Sequence, residues 1–145
     1  MRGYNASQKG AAAVEFALIL LPLLILTFGF IEFGIYVYDK QVITNASREG
    51  ARAGIVSTGG NPRVTPETIE QIVKDYAEER LITFGDPDTE PVLNPNPPVG
   101  YASDAAFGTD LAVTVQYDYS FFLLPNLAGI GFDGHIQATT VMKYE

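Results

Sequence analysis

The sequence predicts an α+β protein in which one long N-terminal helix carries a small head, itself built from a second helix and a small antiparallel β-sheet. Three stretches predict it. Residues 10–38 read GAAAVEFALILLPLLILTFGFIEFGIYVY, apolar except for Glu15 and Glu32. Farther on, Ile69, Ile72, Val73, Tyr76, Ala77 and Leu81 recur at helical spacing and form one apolar face. Finally, residues 111–119 and 136–142 alternate with period two and are rich in β-branched and aromatic side chains, the pattern of half-buried strands.

The first stretch is long enough to cross a bilayer, which takes about 20 mostly apolar residues. A lone span must be helical, because lipid offers the backbone no partners. Pro22 lies inside it; membrane helices tolerate proline at the cost of a hydrogen bond and usually a kink. Helical character continues beyond the apolar run, since DKQVITNASREGARAGIV, from Asp39 to Val56, contains no proline. Ala46, Gly50 and Gly54 follow one another at four-residue steps, a small-xxx-small series that lets another backbone approach closely. Two partners fit that series: a neighbouring subunit, or the protein's own head. Turn residues from Ser57 to Pro62 end the helix. The expected divisions are a short leader (1–10), a long helix that spans a membrane in its first half (11–58) and a head (59–145).

Within the head, Thr65 is placed to cap a helix, and Pro66 fits its first position. That helix should stop near Phe84–Gly85. Residues 86–100 (DPDTEPVLNPNPPVG) are too proline-rich for a regular element and form a surface loop, with a strand fragment at Pro91–Leu93. FFLLPNLAGIGFDG, which separates the two alternating runs, is apolar but broken by Pro125, Gly129, Gly131 and Gly134. It suits a crossover better than a tight turn, and it needs cover from the second helix, the membrane surface or a neighbouring subunit.

Charge is unevenly spread. The 145 residues carry a net −8. From Gly59 onward, four basic residues face thirteen acids, whereas Arg2 and Lys9 precede the apolar run with no acid. An acidic head argues against nucleic acid as a partner, because such proteins cluster Lys and Arg. Positive charge ahead of the span places the N-terminus in the cytoplasm and the head outside, although Lys40, Arg48 and Arg52 after the span weaken that signal. With no cysteine, the head holds itself by ordinary packing or by neighbours.

Most catalytic and ligand sites fail on inspection, and no cofactor is expected. Gly129, Gly131 and Gly134 spell GxGxxG, but a strand pattern follows where a dinucleotide site needs a helix. Asp86, Asp88 and Glu90 alternate like the first ligands of an EF-hand, yet Pro91 and Pro97 occupy its required glycine and glutamate positions. A looser calcium site drawing on Asp104 or Asp110 stays open beside a plain solvated acidic loop. The sequons at Asn5 and Asn45 fall in a cytoplasmic leader and a helix. His135, the lone histidine, fits a strand edge, and no nucleophile, base and orienting group can be assembled around it.

Glu15 is different. A carboxylate near the start of a lipid-embedded helix is expensive and calls for a partner. If the chain is cut after Gly10, Ala11 gains a cationic α-amino group four residues from Glu15, within reach on one helix or between two subunits. The alternative is a Glu15 simply hydrated at headgroup level. Glu32, near the opposite interface, is expected to be hydrated, with Tyr36 and Tyr38 in an interfacial aromatic belt.

Gly10–Ala11 with Glu15, followed by a long apolar helix, resembles the class III signal of type IV pilin-like proteins. The segments GAAAVEFALILLPLLIL, FGFIEFG and NASREGARAG, with the closing strand ATTVMKYE, resemble the TadE-like family of the tight-adherence (Flp) pilus system. The resemblance rests mainly on the first fifty or so residues; residues 61–110 match nothing. It implies a pilin-like fold and a minor pilin or pseudopilin, not an enzyme. It also implies cleavage after Gly10 by a prepilin peptidase and subunit registration by Glu15. The other implied partners are further pilins and the inner-membrane assembly platform, in a homo- or hetero-oligomer on the bacterial inner membrane or a surface pilus. The competing expectation is an uncleaved single-span protein whose head binds a partner or ion.

Overall fold

The computed structural model describes residues 5–56, 63–83, 90–121 and 133–145. Helix α1 runs unbroken from Asn5 to Ile55, 51 residues, and passes through Pro22. It begins before the expected Ala11, so part of the polar leader continues the helix. It ends at Ile55, and the turn residues 57–62 lie outside the described residues.

Two parts of α1 differ in surroundings. Residues 10–31 are almost all exposed, whereas a buried stripe begins at Glu32 and continues through Asp39, Ile43, Ala46, Gly50 and Gly54. The composition explains the division. The first part is apolar on every side and offers no polar face to water, as a helix surrounded by lipid would be. The second part alternates apolar or small residues with Gln41, Arg48 and Arg52, and packs one side only.

Helix α2 runs from Pro66 to Glu78. Thr65 caps it as expected, its hydroxyl accepting the Thr68 N–H. Ile69, Val73 and Ala77 are fully buried. The helix stops short of the expected Phe84–Gly85. The N–H groups of Arg80 and Leu81 both turn to the Ala77 carbonyl, and the Ile82 N–H leaves the helix to donate to Asp39 on α1.

The sheet holds β1 (Val92–Leu93), β2 (Asp110–Ser120) and β3 (Asp133–Lys143) in that order, all antiparallel. β1 falls on the fragment expected from the sequence. β2 and β3 correct another expectation: they are adjacent and antiparallel, with Val113 opposite Thr140, so their connection is topologically a long hairpin loop and not a crossover. Most of that loop lies outside the described residues. Leu111, Val113, Val115, Tyr117 and Tyr119 turn inward from β2, Ile136 and Ala138 from β3. They form one core with α1 and α2.

Cross-links orient the head. Lys40 donates to the Gln137 carbonyl (2.6 Å), and Ser47 bonds Thr140 (2.7 Å). Gly54 faces Ile69, Gly50 faces Ile69 and Val73, and Asp39 meets Ile82. β3 therefore runs with α1 and α2 runs against it. The end of β2 at Ser120 and the start of β3 at Asp133 lie at the end of the head nearest the exposed half of α1.

Candidate functional site

Gly10, Ala11 and Glu15 all stand on the exposed half of α1. A Cβ built on Gly10 would meet nothing within 4 Å. Ala11 and Glu15 lie one helical turn apart, on neighbouring positions of one face. The first α1 residue that the head buries is Glu32, about 25 Å farther along at 1.5 Å per residue. Glu15 is thus set far from the head, on a surface open to lipid or to another helix.

The small-residue stripe faces the chain's own head. Ala46 is fully buried. A Cβ on Gly50 would come within 2.7 Å of Val73 Cγ2, and one on Gly54 within 2.6 Å of Leu111 Cδ2. Glycine at these two positions lets α2 and β2 settle directly on the α1 backbone. Within one chain, then, the partner of this stripe is the head.

At the foot of the head lies a boundary layer. The ring centroids of Tyr119 lie 5.4 Å from Tyr36 and 4.9 Å from Phe121, and Tyr36 stacks on Phe121 at 5.8 Å. Glu32 is only 3% exposed, so the expectation of a hydrated carboxylate is corrected: it is buried within the folded chain. Burial pushes the Tyr119 hydroxyl up to about 12, with the negative charges of Asp39 and Glu32 adding to the shift. Tyr117 is raised to about 12 by burial and by Asp39. Asp39 itself is fully buried. Its Oδ1 accepts the Ile82 N–H at 3.0 Å, while Oδ2 has no partner. Desolvation raises its pKa, partly offset by that backbone hydrogen bond.

The far end of the head is closed by Arg63. Its guanidinium donates to the carbonyls of Ile55, Ala105 and Glu145 and lies 4.3 Å from the centroid of the Tyr144 ring. A cation at the last carbonyls of α1 also complements the helix dipole. Tyr144 is buried, its hydroxyl donating to the Gly100 carbonyl. Sequence reading missed Asp39, Arg63 and Tyr144, because each role depends on partners distant in the chain. The signal available was a lone aspartate just beyond an apolar run and a tyrosine closing a strand.

The remaining sequence motifs do not converge. His135 sits on the edge strand β3 and pairs with Asp118 on the outer face of the sheet. Asp110 pairs with Lys143 at 2.9 Å. Asn45 lies on α1 and bonds Gln41 and Arg48. Among the described residues no three His, Asp or Glu side chains gather as metal ligands. Asp86, Asp88, Gly129 and Gly131 lie outside the described residues.

A family model described as TadE-like protein covers residues 10–52, beginning at Gly10 and ending within the head-bearing half of α1. No curated protein and no solved structure matches the chain. Helix α1 is the one helix among the described residues long and apolar enough to cross a membrane, compatible with a single-pass protein. The match points to a pilus-associated protein, and the similarity to the TadE-like family lies over residues 10–52.

Proposed function

We propose that this chain is a minor pilin or pseudopilin of a tight-adherence pilus system, processed after Gly10 and assembled by helix packing. One observation carries the reading: the family match opens at Gly10, and Glu15 follows it on an apolar half-helix that stands clear of the head. Ala11 to Ile31 measures about 31 Å, the thickness of a bilayer's hydrocarbon core. The tyrosine-rich boundary layer then sits at headgroup depth. The N-terminus lies in the cytoplasm, where a prepilin peptidase frees the α-amino group of Ala11. Glu15 pairs with such a group, on its own helix or a neighbour's, and so sets the register between subunits. The exposed half-helix passes from lipid to the apolar sides of other pilins on the assembly platform, never meeting water. The role is structural, and no catalytic step is assigned.

Substitution of Glu15 tests this. Glu15→Ala should leave the protein in the membrane with a folded head, yet abolish its recovery in assembled, sheared material. Unchanged assembly would contradict the reading and favour an uncleaved single-span protein.

A further inference from the structure

Two exposed helical stripes of opposite charge remain unused by the fold. On α1, Gln41, Asn45, Arg48 and Arg52 line the side opposite Ala46, Gly50 and Gly54; all are exposed except half-buried Asn45. On α2, Glu67, Gln71, Asp75 and Glu78 are exposed on the side opposite Ile69, Val73 and Ala77. Each stripe covers three turns, about 16 Å. Local contacts compensate the two stripes only in part: Gln71 donates to Asp75 at 2.7 Å, and Lys74 acts on Glu78 at longer range. Among the described residues Arg52 reaches only Glu49, at 3.9 Å, and Arg48 only the Asn45 amide. The nearby basic residues are engaged elsewhere, Lys74 of α2 with Glu70 and Glu90, and Arg80 just beyond α2 with Glu79 and the Tyr76 ring.

We infer that these stripes are the two sides of one interface between copies of this chain, the α1 stripe of one copy against the α2 stripe of the next. The inference rests on the proposed assembly role and supplies a head-level contact between copies still in the membrane. Three facts favour a second copy as the occupant. The charges are complementary, and the stripes match in length. The membrane also fixes the register. Copies sharing a bilayer stand at equal height, and within one copy α2 runs against α1 with Ile69 beside Gly50 and Gly54 and Ile82 beside Asp39. At equal height, Arg52 therefore falls between Glu67 and Gln71 and Arg48 between Gln71 and Asp75, each arginine within side-chain reach of an acid. An exposed surface of one sign steers association, and a matching surface of the other sign fixes partner and register.

The absence of native cysteine makes the test clean. Full-length chains carrying Arg52→Cys and Glu67→Cys are co-expressed in their own membrane and oxidised. A disulfide-linked dimer containing one of each is expected, and likewise for Arg48→Cys with Asp75→Cys. Absence of both mixed dimers overturns the interface, as does a dominant Arg52→Cys homodimer. In a second set, Gln41→Cys and Glu78→Cys report the contact while charges change. Arg48→Glu with Arg52→Glu should lower the mixed yield about fivefold, and Glu67→Arg with Asp75→Arg in the partner should restore it. A yield indifferent to both reversals overturns the electrostatic basis. The N-terminus of the same chains separates this inference from the proposed function: cut chains without mixed dimers sink the interface alone, whereas uncut chains that still cross-link sink only the processing.

Discussion

A Cβ added at Gly10 would meet nothing within 4 Å, while one at Gly50 would press on Val73 at 2.7 Å and Ile69 at 3.3 Å. Both glycines belong to the same helix. The contrast separates a half that the described head leaves uncovered from a half whose neighbours are supplied by the chain itself. Stability of the head should therefore respond to changes in the second half and ignore the first. Assembly should respond to the first.

The largest effect should come from Gly50→Val. Overpacking against Val73 and Ile69 should cost the head about 3 kcal/mol, read by denaturant unfolding in detergent. Gly10→Val should leave the same curve unmoved. Arg63→Ala comes next, at about 1–2 kcal/mol, since three carbonyls lose a charged donor. Faster amide exchange at Tyr144, whose N–H is held by Thr109, would locate the loss at the far end.

Asp39 gives a smaller and pH-dependent effect. Its pKa is raised on folding, so the folded state holds its proton at pH values where the unfolded chain has released it. Its charged form weakens the head above the folded pKa. That penalty is relieved as pH falls toward the ordinary carboxylate range. Glu67, lowered chiefly by the Thr65 hydroxyl, acts in the opposite sense: its contribution is lost as pH falls. The difference between the native chain and Asp39→Asn, followed across pH, isolates the Asp39 part and should shrink on acidification. The smallest effect belongs to Leu18→Ala, which removes a 70% exposed side chain and should move head stability by less than about 0.5 kcal/mol.

The features legible in the sequence were local. Thr65 and Pro66 announce the start of α2 because capping involves only neighbouring residues. Leu111 to Tyr119 announce β2 because period two is written into the strand itself. The spacing of Gly10 and Glu15 is likewise readable, being one short helical segment. What escaped reading was whatever depends on the chain's return. Glu32 reads as an interfacial carboxylate in the sequence, but it is buried in the folded chain. α2 stops at Glu78 because Asp39, far earlier in the chain, claims the Ile82 N–H. The hairpin relation of β2 and β3 is hidden by an apolar loop long enough for a crossover. Ala46, Gly50 and Gly54 showed that something packs closely, but not what.

The measurement that tests the division of α1 most directly is the intact mass, with N-terminal peptide mapping, of the protein taken from its own membranes. A mature chain beginning at Ala11 is the predicted result, because the exposed half then carries a freed α-amino group for Glu15. A chain that still begins at Met1 or Arg2 would contradict it and leave a membrane-anchored head as the better account.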